Sequence, residues 1–422
     1  MPRLVSSVPV RRWVDPEDAF AHQFAGERHA FWLDAGSAAA SGFSFLGSGV
    51  PETDPGRPLR TDASSTATAT SVPGRFFGGW VGWIPYDDGP RSAAWLRVDS
   101  WLVFDHAARR VHAVSIRSEE DAVELAARVA TAPIAPPVAA APAGRTARGR
   151  HRPDEYAALI AACREHIRVG DAYQLCLTTR FTVDGELDPA AVFRRLRVSA
   201  PSHHAGYVRV GDTTLVSASP ERFLDVRGGH VHTHPIKGTR PRDDDPVVDA
   251  AAAEELRSDA KERAENIMIV DLMRNDLSRV CVPATVGVDR LLEVESYPTV
   301  HQLVSEVSGR LRDGTSIASL LTATFPAGSM TGAPKESAIS ILAEREAGRR
   351  GVYAGAFGWI GDDGAADLAM IIRSIVIDPD AAYVGAGGGI TWRSVAASEV
   401  AEVGIKARAP LAALGATVPP GW

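Results

Sequence analysis

The chain has 422 residues, long enough for an elaborate catalytic unit with an N-terminal extension. Its net charge of -7, from 45 basic and 52 acidic residues, disfavours a non-specific binder of nucleic acid. The first residues lack the apolar run of a signal peptide, and no later apolar run is long enough to predict a membrane span. Three widely spaced cysteines, Cys163, Cys176 and Cys281, predict reduced thiols in a cytoplasmic protein.

The chain divides at an Ala/Pro-rich segment, residues 132–150, which has no apolar periodicity and predicts an exposed connector. The N-terminal region, 1–131, offers short strand-like runs such as GRFFGGWVGWIPY at 74–86 and no catalytic pattern. The larger region is 151–415. It begins with a predicted helix at 154–171 and a predicted strand, AYQLCLTTRFTV.

Further elements follow in the larger region. Strands are predicted at HHAGYVRV (203–210), TTLVSAS (213–219), GVYAGAFGWI (351–360) and LAMIIRSIVI (368–377). Helices are predicted at AAAEELRSDAKERAENIMIVDLMRNDL (251–277), ESAISILAERE (336–346) and ASEVAEVGIKARAPLAAL (397–414). This mixture predicts an α+β fold.

Two pairs of glutamates, Glu262 with Glu265 and Glu399 with Glu402, lie three residues apart within predicted helices. Such spacing puts each pair on one helix face, and Lys406 follows Glu402 by one further turn. Carboxylates from two helices that meet across a cleft suit Mg2+. Either pair alone is equally compatible with ordinary solvated surface glutamates.

Prolines and glycines bracket three polar residues, Glu221, Lys237 and Thr239, in SASPERFLDV and HTHPIKGTRPR. A Glu and a Lys held at rigid bends could act as a general acid and a nucleophile, each with a shifted pKa. The alternative is an exposed turn in which neither residue has a chemical role.

Two glycine-rich segments complete the pattern, FPAGSMTGAPKESAISIL before a predicted helix and GAGGGI (385–390) after a predicted strand. Neither is a Walker or dinucleotide-binding fingerprint. Consecutive glycine amides can form an anion-binding nest suited to a carboxylate, although glycine turns are also common connectors.

Taken together, these segments resemble the chorismate-utilising enzymes, a family that includes anthranilate, aminodeoxychorismate, isochorismate and salicylate synthases. The motifs that carry the resemblance run in order over about residues 151–415: SPERFL, PIKGTRPR, ENIMIVDLMRNDLSRV, VHQLVSEV, FPAGSMTGAPKESA, YAGAFGWI and SEVAEVGIKARA. The resemblance implies an α+β fold in which antiparallel sheets are layered into a sandwich with helices outside.

The resemblance also implies roles for particular residues. Magnesium would bind Glu265 and Glu402, with Glu262 and Glu399 in support. Glu221 would protonate the departing ring hydroxyl of chorismate.

Other residues would surround the substrate, with His301 beside the ring. The two substrate carboxylates would be held by Arg373, Lys406, Thr239 and the backbone at Gly388 and Gly389. Outside their motifs, a single His or Arg is more often an ordinary packed or surface residue.

Two positions distinguish the reactions of this family. Members that add water to the ring carry a Lys base where this chain has Gln174, which cannot take a proton, so isochorismate and salicylate synthesis are disfavoured. Anthranilate synthases typically carry a small residue where this chain has Lys237, whereas aminodeoxychorismate synthases carry lysine. A partly deprotonated Lys237 could attack ring carbon C2 while Glu221 protonates the C4 hydroxyl, giving a covalent intermediate that ammonia resolves.

Ammonia needs a source, and no cysteine lies in the glycine-flanked turn of a glutamine amidotransferase. The resemblance therefore implies a separate glutamine amidotransferase subunit as partner. With lysine at position 237, the resemblance implies aminodeoxychorismate synthesis, in which chorismate and ammonia give 4-amino-4-deoxychorismate. Anthranilate synthase component I is the nearest alternative function, and a catalytically silent chorismate binder is an alternative of another class.

Overall fold

A computed structural model describes residues 5–65, 72–142, 144–297 and 300–422. The predicted N-terminal region and connector each include residues outside these ranges, namely 1–4, 66–71 and 143. Within the described ranges the α-helices are α1 (Pro16–Gln23), α2 (Glu119–Ala130), α3 (Pro153–Val169), α4 (Pro189–Ser199), α5 (Pro246–Ser258), α6 (Ala260–Ser278), α7 (Ile317–Thr324), α8 (Lys335–Arg345) and α9 (Ala396–Ala413).

The strands fall in both parts of the chain. Those before the connector are β1 (Ser6–Pro9), β2 (His29–Asp34), β3 (Phe43–Ser48), β4 (Val50–Pro51), β5 (Gly79–Ile84), β6 (Ala94–Val98), β7 (Ser100–Asp105) and β8 (Arg110–Ser115). The next are β9 (Arg145–Thr146), β10 (Arg148–Gly149), β11 (Gln174–Asp184), β12 (His204–Val210), β13 (Thr213–Ser219), β14 (Arg222–Arg227), β15 (His230–Thr233) and β16 (Ile236–Pro241). The last are β17 (Gly287–Ser296), β18 (Val300–Arg310), β19 (Gly332–Ala333), β20 (Ala356–Gly361), β21 (Ala366–Met370), β22 (Ser374–Ile377), β23 (Ala381–Ile390) and β24 (Ala416–Thr417).

Two large antiparallel sheets dominate the described structure. The first runs β1-β8-β7-β3-β2-β12-β13-β22-β23-β11-β10, with β19 also paired to β11. The second runs β16-β18-β15-β14-β21-β20-β5-β6-β4, with β17 also paired to β18. Strands from before the connector continue both sheets, since β2 pairs with β12 and β5 pairs with β20.

The sheets pack face to face, and helices cover their outer faces. Between them lies an apolar core to which the first sheet contributes Trp101 and Val208 and the second contributes Trp83 and Phe357. A separate core joins the second sheet to α6 and α7, and another joins the first sheet to α2, α3, α4 and α9. This layering confirms the predicted α+β sandwich. No helix in the described ranges has the length and apolar character needed to cross a bilayer.

The strand predicted at 351–360 begins only at Ala356, and two other predicted elements are divided in the structure. The long helix predicted at 251–277 breaks at Asp259, whose side chain accepts hydrogen bonds from the backbone N–H groups of Lys261 and Glu262 and so caps α6. The strand predicted at 368–377 is interrupted before Ser374. There Arg373 has φ +51°, and the chain passes from the second sheet to the first.

Candidate active site

The two glutamate pairs meet between α6 and α9. Glu262 and Glu265 lie in the first turns of α6, and Glu399 and Glu402 lie in the first turns of α9. Lys261 joins the pairs, because its Nζ lies 3.8 Å from Glu265 Oε1 and 3.6 Å from Glu399 Oε1. Each pair shares a helix face, as its spacing predicts, and the two faces meet across the space that we call the cleft.

The electrostatics of this cleft reflect crowded carboxylates. Burial raises the pKa of Glu262 and of Glu265 above the ordinary value. Burial acts in the same direction on Glu402, but Lys406, whose Nζ lies 2.6 Å from Glu402 Oε1, lowers the pKa of that carboxyl overall. A cation between the pairs would relieve the repulsion, and Lys261 supplies such a charge.

Glu221 lies just beyond β13, where Pro220 ends the strand. The side chain is buried, and its Oε1 accepts a 2.9 Å hydrogen bond from the Ser329 hydroxyl. The backbone N–H of Met370 donates to the Glu221 carbonyl and fixes its main chain. Burial raises the pKa of Glu221, against the opposing charge of Lys237, which is the direction that a general acid requires.

Lys237 lies in β16 at a bulge between Ile236 and Thr239, where Gly238 has φ +82°. A Cβ on Gly238 would lie 2.7 Å from Leu256, so glycine is needed there both for space and for conformation.

The pKa of Lys237 is raised, whereas a nucleophilic amine requires a lowered pKa. Burial alone would lower it, but the carboxylates of Glu265, Glu221 and Glu402 together raise the pKa above its ordinary value. Low solvation therefore does not by itself free the amine.

Gln174 is fully buried at the start of β11, and neither its amide nitrogen nor its amide oxygen has a hydrogen-bond partner in the described chain. A Cβ on Gly389, which is opposite Cys176 in the neighbouring strand, would lie 2.4 Å from Gln174 Nε2. Gly389 thus makes room for an unsatisfied buried amide.

The glycine run GAGGGI lies within β23, so the predicted nest after a strand is wrong. Its glycines permit close packing, since a Cβ on Gly385 would lie 2.1 Å from the Tyr353 ring. β22 pairs with β23 only as far as Val384, and beyond that point Lys406 Nζ donates to the Gly387 carbonyl at 2.8 Å. A Cβ on Gly388 would lie within 4.0 Å of atoms of Glu399, Glu402 and Lys406.

Arg373 lies at the passage between the sheets in a left-handed conformation that is rare for a non-glycine residue. Burial lowers the pKa of its guanidinium, with Tyr353 and Glu402 acting in the other direction. Among the described residues its side chain forms no ion pair or hydrogen bond, which leaves it available for an anion.

His301 and Thr239 lie on the paired strands β18 and β16. Both ring nitrogens of His301 are engaged, Nδ1 with the Ser296 hydroxyl at 2.8 Å and Nε2 with Asp249 Oδ1 at 2.9 Å. Thr239 is exposed. The structure thus brings Lys237 and Glu221 together and connects His301 to α5 instead.

Sequence reasoning missed Lys261 and Ser329. Lys261 precedes Glu265 by four residues, a spacing that could have signalled the ion pair. Ser329 lies in the glycine-rich segment before α8, where no local pattern indicates that its hydroxyl reaches Glu221.

The chain is similar in sequence to several known proteins. A family profile described as chorismate binding enzyme matches residues 13–412. An aminodeoxychorismate synthase of Streptomyces pristinaespiralis is 36% identical, with 98% of this chain and 64% of that protein covered. Anthranilate synthase component 1 of Streptomyces coelicolor is 38% identical, with 95% and 86% covered.

Solved structures agree on the fold. The anthranilate synthase component I of Streptococcus pneumoniae superimposes with a TM-score of 0.73 at 29% identity, over 96% of this chain and 92% of that one.

Proposed function

The chain belongs to the chorismate-binding enzyme family, and from this premise we propose that it acts as the chorismate-using component of an aminodeoxychorismate synthase. In this reaction chorismate and ammonia give 4-amino-4-deoxychorismate and water, and the enolpyruvyl group stays on the ring. Relatives named aminodeoxychorismate synthase, at 36% and 35% identity, support the proposal.

The observation that carries the proposal is that Lys237 and Glu221 are near enough for each to perturb the pKa of the other, while Gly238, next to Lys237, packs against Glu262 of the cleft. Because the neighbouring carboxylates raise its pKa, Lys237 first releases a proton to solvent. The neutral amine then attacks ring carbon C2, the two ring double bonds shift, and the C4 hydroxyl leaves as water with the proton of Glu221. Ammonia then adds at C4, the Lys237 nitrogen leaves C2, and Glu221 regains a proton from the added ammonia.

The four glutamates fit a hard divalent cation, and the proposal assigns Mg2+ to Glu265 and Glu402, with Glu262 and Glu399 in support. Glu265 Oε1 is buried without a hydrogen-bond partner, and the Lys261 ammonium lies between the two pairs. When bound, Mg2+ would offset the carboxylate charge and bind a carboxylate oxygen of the substrate.

Chorismate is a dianion, so the protein must offer cationic groups and hydrogen-bond donors. Arg373 has no counter-ion among the described residues and is assigned to one substrate carboxylate. Lys406, Thr239 and the backbone of Gly388 and Gly389 complete the proposed anion contacts. His301 is assigned to the ring side of the cleft, through a change in its contact with Asp249.

Gln174 favours ammonia over water as the nucleophile. A buried amide cannot act as the base that activates a water molecule, and its unsatisfied atoms are available to a bound ligand. Isochorismate and salicylate synthesis are disfavoured on this ground.

A separate glutamine amidotransferase subunit is proposed as the ammonia source in a cytoplasmic enzyme. All three cysteines are buried. Burial raises the pKa of Cys163 to about 12 and of Cys281 to about 11, and it also raises the pKa of Cys176. Thiols in such surroundings are poor nucleophiles for glutamine hydrolysis.

Anthranilate synthesis is the second candidate, because relatives with that name match the chain equally well. The purified chain should be incubated with chorismate, Mg2+ and ammonium, and the product identified by mass spectrometry. An aminated product that retains its enolpyruvyl group supports the proposal, whereas anthranilate and free pyruvate would establish the alternative.

The covalent step is tested at Lys237. Lys237→Ala should lower turnover with ammonia by at least about 100-fold, the loss typical of a missing catalytic group. Lys237→Arg keeps the positive charge without a comparable nucleophile, so it should be similarly inactive. Full turnover by Lys237→Ala would refute the covalent route whatever the product.

A further inference from the structure

A second cluster of potential metal ligands lies on three neighbouring strands of the second sheet. His232 is on β15, Glu306 on β18 and Asp289 on β17, and β18 pairs with both of the other strands. One nitrogen or oxygen atom from each residue lies within 4.8 Å of the others. Three strands therefore present a histidine and two carboxylates at one point.

This cluster lies on the face of the sheet opposite the chorismate cleft. Thr233, which follows His232, directs its hydroxyl at Met273 of α6, the helix that carries Glu262 and Glu265. Successive side chains of a strand point to opposite faces, so His232 points away from α6. The cluster is therefore separate from the four glutamates.

Two imidazoles converge on one carboxylate oxygen. His232 Nδ1 lies 3.0 Å from Glu306 Oε1, and His234 Nε2 lies 3.4 Å from the same atom. Within the described ranges, neither Glu306 nor Asp289 forms an ion pair with a lysine or an arginine. The two carboxylates of the cluster thus lack the lysine or arginine partner that most Asp and Glu side chains in the described structure have.

His234 lies at the edge of this cluster, where its Nε2 faces Glu306 Oε1. Its Nδ1 is buried and has no hydrogen-bond partner in the described chain. A neutral imidazole is the form that binds a metal.

We propose that His232, Glu306 and Asp289 form a binding site for a divalent transition metal such as Zn2+, with His234 as the nearest further ligand. A mixed nitrogen and oxygen donor set suits Zn2+, whereas Mg2+ prefers oxygen ligands alone. Two carboxylates match the charge of the ion. A metal that joins three strands would also stabilise the folded chain, because it binds the native state alone.

The test uses the full chain, stripped of metal and then saturated with Mg2+ so that the glutamate cleft is occupied. Titration with Zn2+, followed by calorimetry and by elemental analysis after dialysis, should show one bound Zn2+ and a higher Tm. His232→Asn should weaken binding by about 100-fold and abolish the rise in Tm. His230→Asn is the matched control, since His230 is an exposed histidine two residues earlier on the same strand, and it should bind like the unmodified chain.

Two further variants keep the test decisive. Asp289 is exposed, so Asp289→Asn should fold normally and still weaken Zn2+ binding. A Glu265→Gln/Glu402→Gln double variant should leave it unchanged. The proposal is overturned if the unmodified chain binds no Zn2+ under these conditions, or if binding survives in Asp289→Asn and is lost only with the two cleft glutamates.

Discussion

The cleft that holds Lys237 and Glu221 differs from the buried ion pair of Arg350 and Glu346 in how its polar groups are hydrogen-bonded. Arg350 donates to both carboxylate oxygens of Glu346 and to the carbonyls of Met330 and Cys176, at 2.6 to 2.8 Å. Glu346 also accepts from a backbone N–H of β11. The polar side-chain atoms of Arg350 and Glu346 thus all have hydrogen-bond partners within the described chain.

In the cleft, by contrast, several polar groups have no hydrogen-bond partner in the described chain. Both amide atoms of Gln174 and Oε1 of Glu265 are buried without hydrogen bonds, and Arg373 has no counter-ion among the described residues. Each unpaired buried group costs about 1 to 3 kcal/mol. Buried polar groups are almost always paired, so the unpaired groups of the cleft remain open to a ligand, whereas Arg350 and Glu346 already satisfy each other.

The two regions are physically joined. Arg350 binds the carbonyl of Cys176, two residues from Gln174, and the carbonyl of Met330, which follows Ser329. Ser329 in turn donates to Glu221. The satisfied pair therefore holds the strand and the loop that place the unsatisfied groups.

The largest effect is expected from Glu221→Gln. The amide keeps the shape of the side chain but cannot supply a proton, so kcat should fall by about 10²- to 10⁴-fold. Stability should change little, because burial already raises the pKa of Glu221 and disfavours the charged form. Steady-state kinetics with ammonia and urea denaturation would measure both quantities. If the loss of activity is explained by a smaller folded fraction, Glu221 has a structural and not a catalytic role.

Arg350→Met is expected to lower stability and to leave the chemical step of the folded enzyme unchanged. Removing one member of a buried ion pair leaves an uncompensated charge and typically costs about 3 to 5 kcal/mol. Activity should fall with the folded fraction, and adding Glu346→Leu should restore part of the lost stability because no unpaired carboxylate remains. Urea denaturation measures the free energy of unfolding.

The neighbouring Arg349→Met is the control. Arg349 is exposed and forms a surface ion pair with Asp88, so its removal should cost less than about 1 kcal/mol. Equal losses in Arg349→Met and Arg350→Met would contradict the distinction between support and surface.

The sequence predicted the parts of the cleft that obey helical spacing. Glu262 with Glu265 and Glu399 with Glu402 share helix faces because residues three apart must do so. It did not predict the bridging of the two pairs by Lys261, because the spacing within one helix does not determine which other helix packs against it.

The errors have a common physical origin. LAMIIRSIVI has the composition of one strand, yet the chain changes sheets at Arg373, a choice that depends on tertiary packing and not on local propensity. Similarly, the glycines of GAGGGI reflect contacts such as that of Gly385 with Tyr353, which join residues far apart in sequence. Local patterns cannot show such approaches.

A smaller effect is expected outside the cleft, at His203, which lines a cavity of about 420 Å³ between the two sheets. Its ring stacks on Tyr297 with centroids 4.9 Å apart. Burial lowers the pKa of His203 to about 4, with Arg222 acting in the same direction and Glu295 against it. His203 therefore tests whether a buried ionisable group outside the cleft lowers the stability of the folded chain as the pH falls.

The sign of the pH dependence follows from the lowered pKa. In the unfolded chain a histidine has a pKa of about 6.5, whereas His203 in the folded chain has a pKa of about 4. Between these two pH values the unfolded chain therefore binds more protons than the folded chain. Stability should therefore fall as the pH falls from 7 to 5, by at most about 1.4 kcal/mol per pH unit for this group. His203→Gln should reduce the slope of unfolding free energy against pH, whereas His230→Gln, at an exposed position, should not. Identical slopes in the two variants would mean that His203 is not protected from protons in the folded state, and the cavity would then belong with the solvated surface.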